Sequence, residues 1–257
     1  MNKKKMMILF SATAALTLAA CGGNNSSSSS TSTEAGTAKT KYASEVTHEG
    51  TPIKGGTLKY AIVSSSPFSG IFADELSQVT TDSTIGGLID ESMFEYDENR
   101  KLTNTGLASI EFDVENKTAT VTLNSKEYKW SDGQPVTIDD YIFAYQAIGN
   151  KDYTGVRYDG DFKNVVGMEE YHNGKADSVS GLEKVDDYTV KIHFKEMSPS
   201  MQLAGGSVSA YIMPKHIFKD IPEAEWEQSD YVRGKKFVGL GQFKIDSIVA
   251  GESVTLV

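Results

Sequence analysis

The sequence predicts a mixed α/β fold of the α+β kind, with hairpins and helices following one another irregularly. Two observations carry this. Three pairs of short, alternating segments are each joined by turn residues, and each pair reads as an antiparallel hairpin. Before and between them lie two stretches with apolar residues at helical spacing. The elements do not form a βαβ series, so a simple parallel sheet does not fit. The chain has 257 residues, 39% hydrophobic and 23% charged, which is room for one large domain or two small ones with a real core.

The elements are expected in the following order. Gly55-Gly56 is a turn, and Thr57 to Val63 alternates as a strand that Ser64-Ser65-Ser66-Pro67 breaks. Residues 82–92 read as a helix, with Asp82 or Ser83 as N-cap and Ile85, Leu88 and Ile89 on one face. Met93 to Tyr96 reads as a short strand. Ala108 to Phe112 and Ala119 to Leu123 flank Glu115-Asn116-Lys117 and form the first hairpin. After the turn cluster Ser131-Asp132-Gly133-Gln134-Pro135, Thr137 caps a helix, with Asp140 in the acidic position of a capping box. Ile138, Tyr141, Ile142, Tyr145 and Ile148 form its core face. Leu182 to Phe194, turning at Asp186-Asp187, is the second hairpin, with Val190, Ile192 and Phe194 on one side. Ala210 to Met213 is a short apolar strand stopped by Pro214. Phe243 to Ile245 and Ser253 to Val257 bracket Ala250-Gly251-Glu252 as the third hairpin.

The first 53 residues differ in composition. Lys3, Lys4 and Lys5 precede an apolar run from Met6 to Ala20, too short for the roughly 20 residues of a spanning helix and suited to a secretory signal. Leu18-Ala19-Ala20-Cys21-Gly22 follows and resembles the lipobox of bacterial lipoproteins. That resemblance implies cleavage before Cys21 and a diacylglycerol on its sulfur. An ordinary signal peptide with an incidental cysteine is the plainer alternative. Residues 21–53, with the serine run Ser26 to Ser30, are expected to be a flexible polar tether. Residues 54–257 are the expected folded part. Removing residues 1–20 takes away three lysines and no acid, which moves the formal charge from −10 to −13. An anionic membrane repels such a chain, so the expected membrane attachment is the lipid.

The acidic balance excludes nucleic acid as an expected partner. A single cysteine excludes an intramolecular disulfide and a cysteine-rich metal site. His48, His172, His193 and His216 stand at no metal-binding spacing, and Asp159-Gly160-Asp161 lacks the rest of a calcium loop. No nucleophile elbow, phosphate loop or dinucleotide fingerprint occurs. The expectation is therefore no catalytic residue, no metal and no cofactor.

Several strings point to a family. They are Gly55-Gly56-Thr57-Leu58-Lys59, then Phe94-Glu95-Tyr96-Asp97-Glu98, and Tyr128-Lys129-Trp130-Ser131-Asp132-Gly133-Gln134-Pro135-Val136-Thr137 running on to Ala144-Tyr145. Gly167-Met168-Glu169-Glu170-Tyr171, Val185-Asp186-Asp187-Tyr188-Thr189 and Met213-Pro214-Lys215-His216 follow in family order. Over residues 54–257 the chain resembles the solute-binding proteins of peptide ABC transporters, the oligopeptide- and dipeptide-binding lipoproteins of solute-binding family 5. The resemblance implies a type II periplasmic-binding-protein-like clamp that holds an extended oligopeptide by backbone hydrogen bonds. It also implies permease subunits as partners, the extracytoplasmic face of the membrane as location, and binding without catalysis. By the same resemblance Ser64, Ser65, Ser66 and Pro67 approach ligand, as does Tyr158, while an ordinary polar turn is the other reading of the serines. Trp130 is expected to pack beneath the Asp132-Gly133 turn.

The chain departs from the family pattern at its end. Gly239-Leu240-Gly241-Gln242-Phe243 stands where Gly-Thr-Gly-Pro-Tyr is usual, and relatives continue well beyond Val257. The expectation is a first lobe with its inserted subdomain, without the second lobe, from a truncated gene product. A non-transporting surface lipoprotein with an adhesive or structural role is the alternative. Other solutes of this fold, such as nickel, haem or an oligosaccharide, are further possibilities.

Overall fold

The computed structural model describes residues 51, 54–203 and 208–257. The chain divides into two units, Met1–Leu58 and Lys59–Val257. The described residues of the first unit form no helix or strand. Among the described residues the second unit holds all the regular structure, and its mixture of helices and antiparallel strands is the expected α+β class.

Its centre is a four-stranded antiparallel sheet of order β1-β2-β4-β3, made from Ala108–Asp113, Thr118–Leu123, Thr189–His193 and Leu182–Asp186. The first two expected hairpins are thus two halves of one sheet, joined where β2 pairs β4 with Ala119 opposite Ile192 and Val121 opposite Val190. Register places Ile110 opposite Val121, so these side chains share one face and are all buried. Alternation sends the intervening residues to the other face, where His193 on β4 and Glu183 on β3 pair at 2.9 Å.

Helix α1 (Thr80–Ile89) precedes the sheet, and helix α2 (Ile138–Gly149) packs against its apolar face. Ile138, Tyr141, Tyr145 and Ile148 lie in one core with Ile110, Val121, Val190 and Ile192. Burying each such aliphatic side chain stabilises the fold by about 1.5–3 kcal/mol. Short helices α3 (Gly160–Lys163), α4 (Met168–His172), α5 (Lys215–Phe218) and α6 (Asp230–Arg233) follow, with 3₁₀ turns at Pro199–Gln202 and Glu223–Gln228. The third hairpin is a separate two-stranded sheet, β5 (Ile245–Val249) with β6 (Ser253–Leu256), turning through Gly251 at φ +70°.

Four expectations differ from the structure. Residues 57–63 form no strand, and Leu58, Tyr60 and Val63 are exposed. Alternation marks a segment that suits a sheet, but pairing needs a neighbour, and none of the described strands lies beside this one. Residues 93–96 and 210–213 are likewise extended without a ladder. Tyr96 makes one isolated bridge to Leu102, and Met93 N–H donates to Ala210 C=O at 3.0 Å. Finally, Val79 rather than Asp82 or Ser83 stands at the N-cap of α1. The fully buried Asp82 carboxylate turns back to accept the N–H groups of Ser69 at 3.1 Å and Gly70 at 3.0 Å. Trp130 is buried as expected, and its turn closes with Gly133 N–H donating to Trp130 C=O at 2.8 Å.

Candidate functional site

Helix α2 sets one wall of a half-open cleft. Tyr141 and Tyr145 are four residues apart, so they stand on one helical face, edge to face at 5.3 Å. Both reach the backbone of Ser209. Tyr141 O–H donates to Ser209 C=O at 2.6 Å, and Tyr145 Oη accepts from Ser209 N–H at 2.9 Å. Burial raises both phenols, that of Tyr145 to about 12, so both remain neutral. Residues 208–211 are therefore held by buried partners even though they form no strand.

The cleft has a volume of about 450 Å³, within the range of small-ligand sites. Its lining joins five separate stretches, represented by Asp74, Tyr96, Tyr145, Arg157 and Tyr211. The Arg157 guanidinium lies 5.5 Å from the Tyr211 ring centroid, a cation–π arrangement. Its Nε and Nη2 donate to Asp74 C=O at 3.3 and 3.2 Å, and Nη2 also donates to Ser77 C=O at 3.0 Å. Burial raises the Asp74 carboxyl, while the Ser83 hydroxyl and the Arg157 charge act in the opposite sense. Asp74 Oδ1 is buried without a hydrogen-bond partner among the described residues. Asp159 spends its carboxylate on the start of α3, accepting from Asp161 N–H at 2.9 Å and Phe162 N–H at 3.3 Å. The result is a polar recess with aromatic sides. It suits a ligand that offers both apolar surface and hydrogen-bonding groups.

The residues singled out from the sequence stand elsewhere. Ser64, Ser65, Ser66, Pro67 and Tyr158 are not among the cleft-lining residues. Ser64 Oγ accepts from Ser66 N–H at 3.3 Å and from Thr81 Oγ1 on α1 at 3.0 Å. Ser65 and Pro67 are exposed. The Tyr158 ring stacks on His172 at 3.9 Å, and Lys163 Nζ lies 5.1 Å from its centroid. Cys21 lies outside the described residues. Arg157, Asp74 and Tyr211 were not legible as a group, because 137 residues separate the first from the last and no motif joins them. Among the described residues, no group of three or more His, Cys, Asp or Glu is arranged to hold a metal ion, and no helix is long and apolar enough to cross a membrane.

The chain is similar to known proteins in sequence and in fold. Residues 104–257 match the model of the bacterial extracellular solute-binding proteins, family 5. The oligopeptide-binding protein OppA of Lactococcus lactis subsp. lactis is 38% identical over 200 residues, which is 76% of this chain and 33% of the relative. The oligopeptide-binding protein AppA of Bacillus subtilis is 29% identical over 131 residues, 51% of this chain and 21% of that one. The chain thus spans about a third or less of these curated relatives. Among solved structures, lactococcal OppA complexed with an endogenous peptide in the closed conformation matches with TM-score 0.70 and 35% identity. That match covers 76% of this chain and 37% of the other. The Bacillus subtilis AppA complex with a nonapeptide matches with TM-score 0.58 and 25% identity, over 76% and 34% of the two chains.

Proposed function

The chain belongs to family 5 of the bacterial extracellular solute-binding proteins, a family of binding proteins and not of enzymes, and from that membership we propose that it binds oligopeptides for an ABC transporter. The observation that carries the reading is the cleft described above, on a fold shared with a lactococcal protein solved with peptide bound. Extended peptides present the same amide groups whatever their sequence. A recess with fixed backbone walls and polar edges therefore holds many of them, with water filling the side-chain space. Permease subunits in the membrane are the proposed partners.

In the same reading residues 1–20 are a lipoprotein signal, Cys21 carries the lipid, residues 21–53 are the tether, and residues 54–257 contribute to the peptide-binding domain. Ser64, Ser65, Ser66, Pro67 and Tyr158 meet peptide outside the cleft proper. The supports are the lipobox string and the family's extracellular description.

Native mass spectrometry of the full chain, followed by denaturation, tests the binding. The expected result is a heterogeneous set of released peptides, with rebinding of a mixed tri- to hexapeptide library in calorimetry. A folded chain that releases none and gives no heat with the library overturns the reading. Incorporation of labelled palmitate into the wild type, and its loss in Cys21→Ala, tests the anchor separately.

A further inference from the structure

Asp74, in the wall of the cleft, belongs to a loop whose carbonyls are held from a second loop about 80 residues later. Within the first, Leu76 and Ser77 N–H both donate to Ala73 C=O, at 3.0 and 2.9 Å, forming a tight turn. That turn leaves the carbonyls of Asp74, Glu75 and Ser77 to find other partners, because buried backbone acceptors are seldom left unpaired. Arg157 takes two of them through the three bonds already described. Tyr153 O–H donates to the third, Glu75 C=O. Arg157 N–H donates in turn to Tyr153 Oη at 3.4 Å, which closes the second loop on itself.

Gly155 lies between these two side chains, and its position has no spare room. A Cβ there stands 2.3 Å from Tyr153 Oη and 3.0 Å from Glu75 C=O. Its φ is not in the left-handed region, so the demand is for space. Only a residue without a side chain lets the second loop pass this close to the first.

We propose that Tyr153, Gly155 and Arg157 form a clip whose role is to position the 74–77 loop, and with it Asp74 in the wall of the ligand cleft. This rests on the reading of that cleft as the peptide site. The three act by positioning the loop, and Arg157 also lines the cleft itself. They set the wall in place before ligand arrives, so binding does not bear the entropy of ordering it. Leu76 anchors the same loop in the hydrophobic core, which keeps the loop folded but leaves the direction of its carbonyls to the clip.

The test uses the full chain with Arg157→Met, Arg157→Lys and Gly155→Ala. Amide hydrogen exchange is read over residues 74–79 and over the four-stranded sheet. Apparent affinity is read by anisotropy with a fluorescent random hexapeptide library. Arg157→Met is expected to speed exchange in residues 74–79 about tenfold and to weaken the library about tenfold, the scale of one or two lost charge-assisted bonds. Exchange in the sheet stays at the wild-type rate. Arg157→Lys restores part of both effects, and Gly155→Ala moves both in the same direction as Arg157→Met. Unchanged exchange in residues 74–79, or a loosened loop with undiminished affinity, overturns the proposal. A wild-type chain that binds no library peptide sinks the peptide reading itself, whereas the exchange measurement still decides whether the clip orders the loop.

Discussion

Asp90 shows how one side chain ties distant parts together at an electrostatic cost. It ends α1, and its Oδ1 accepts from Leu240 N–H at 3.0 Å and Glu91 N–H at 3.0 Å. The Leu240 bond fixes the strand-leading segment against the helix, where Gly241 N–H also donates to Ile89 C=O at 3.1 Å. Burial raises the Asp90 carboxyl to about 7. The two N–H groups act against that rise, and the charges of Asp74 and Glu91 add to it. A carboxyl raised in the folded state favours folding while it is protonated, fully so below its unfolded value near 3.8. That contribution is lost as pH rises through about 7. Asp90→Asn keeps an acceptor oxygen for Leu240 and cannot ionise. Its urea midpoint is therefore expected to exceed that of the wild type at pH 8 and to approach it at pH 5. Buried Glu75 is raised first by burial and next by the Asp90 charge, so Asp90→Asn also relieves Glu75, and both effects favour the variant at high pH. An equal offset at both pH values contradicts the assignment.

At the scale of elements, α2 depends on a cap that also binds two other segments. Asp140 Oδ2 accepts from Thr137 N–H at 2.9 Å, which is the back-bond expected of a capping box, and from Trp130 Nε1 at 3.3 Å. Its Oδ1 accepts from Lys215 N–H at 3.0 Å, which joins the start of α5 to the start of α2. Asp140→Ala leaves these donors without their acceptor in a largely buried place, and we expect a loss of ~3 kcal/mol. Asp140→Asn retains one acceptor oxygen and is expected to lose about half as much in chemical denaturation. The Thr137-to-Asp140 spacing was readable from the sequence because capping is local. The hairpins were readable for the same reason, since their turns lie within six residues of their strands. Residues 57–63 carry the same alternation and form no strand, because a ladder depends on a partner that periodicity does not reveal. The cleft was the least legible feature. Its walls come from Asp74, residues 92–96, α2, residues 156–162 and residues 208–211, and each looks like an ordinary turn or core helix by itself. Tyr145 was legible as a core residue of α2, while its second role, holding Ser209 N–H, exists only in three dimensions.

At the scale of the molecule, the buried side chains form three clusters that share members. Tyr153 and Tyr211 border both the sheet core and the cluster around Trp226, and Phe237 borders the latter and the cluster around Phe72. Such shared side chains couple the clusters, because losing one removes packing from the next. Residues 59–257 are therefore expected to unfold in one cooperative step. The sequence supplies its own reporters. There are two tryptophans, Trp130 in the sheet core and Trp226 in the second cluster, both almost fully buried. Trp130→Phe leaves fluorescence reporting on Trp226 alone, and Trp226→Phe leaves it reporting on Trp130 alone. Each replacement also removes an indole hydrogen bond, to Asp140 or to Ile221 C=O, so the variants are compared internally and not with each other. Within each variant, the fluorescence transition and the far-ultraviolet circular dichroism transition in urea are expected to coincide. A Trp226 signal that melts before the circular dichroism signal shows a second cluster that opens independently. In that case the cleft, whose Tyr211 borders both clusters, loses one side while the sheet stays folded.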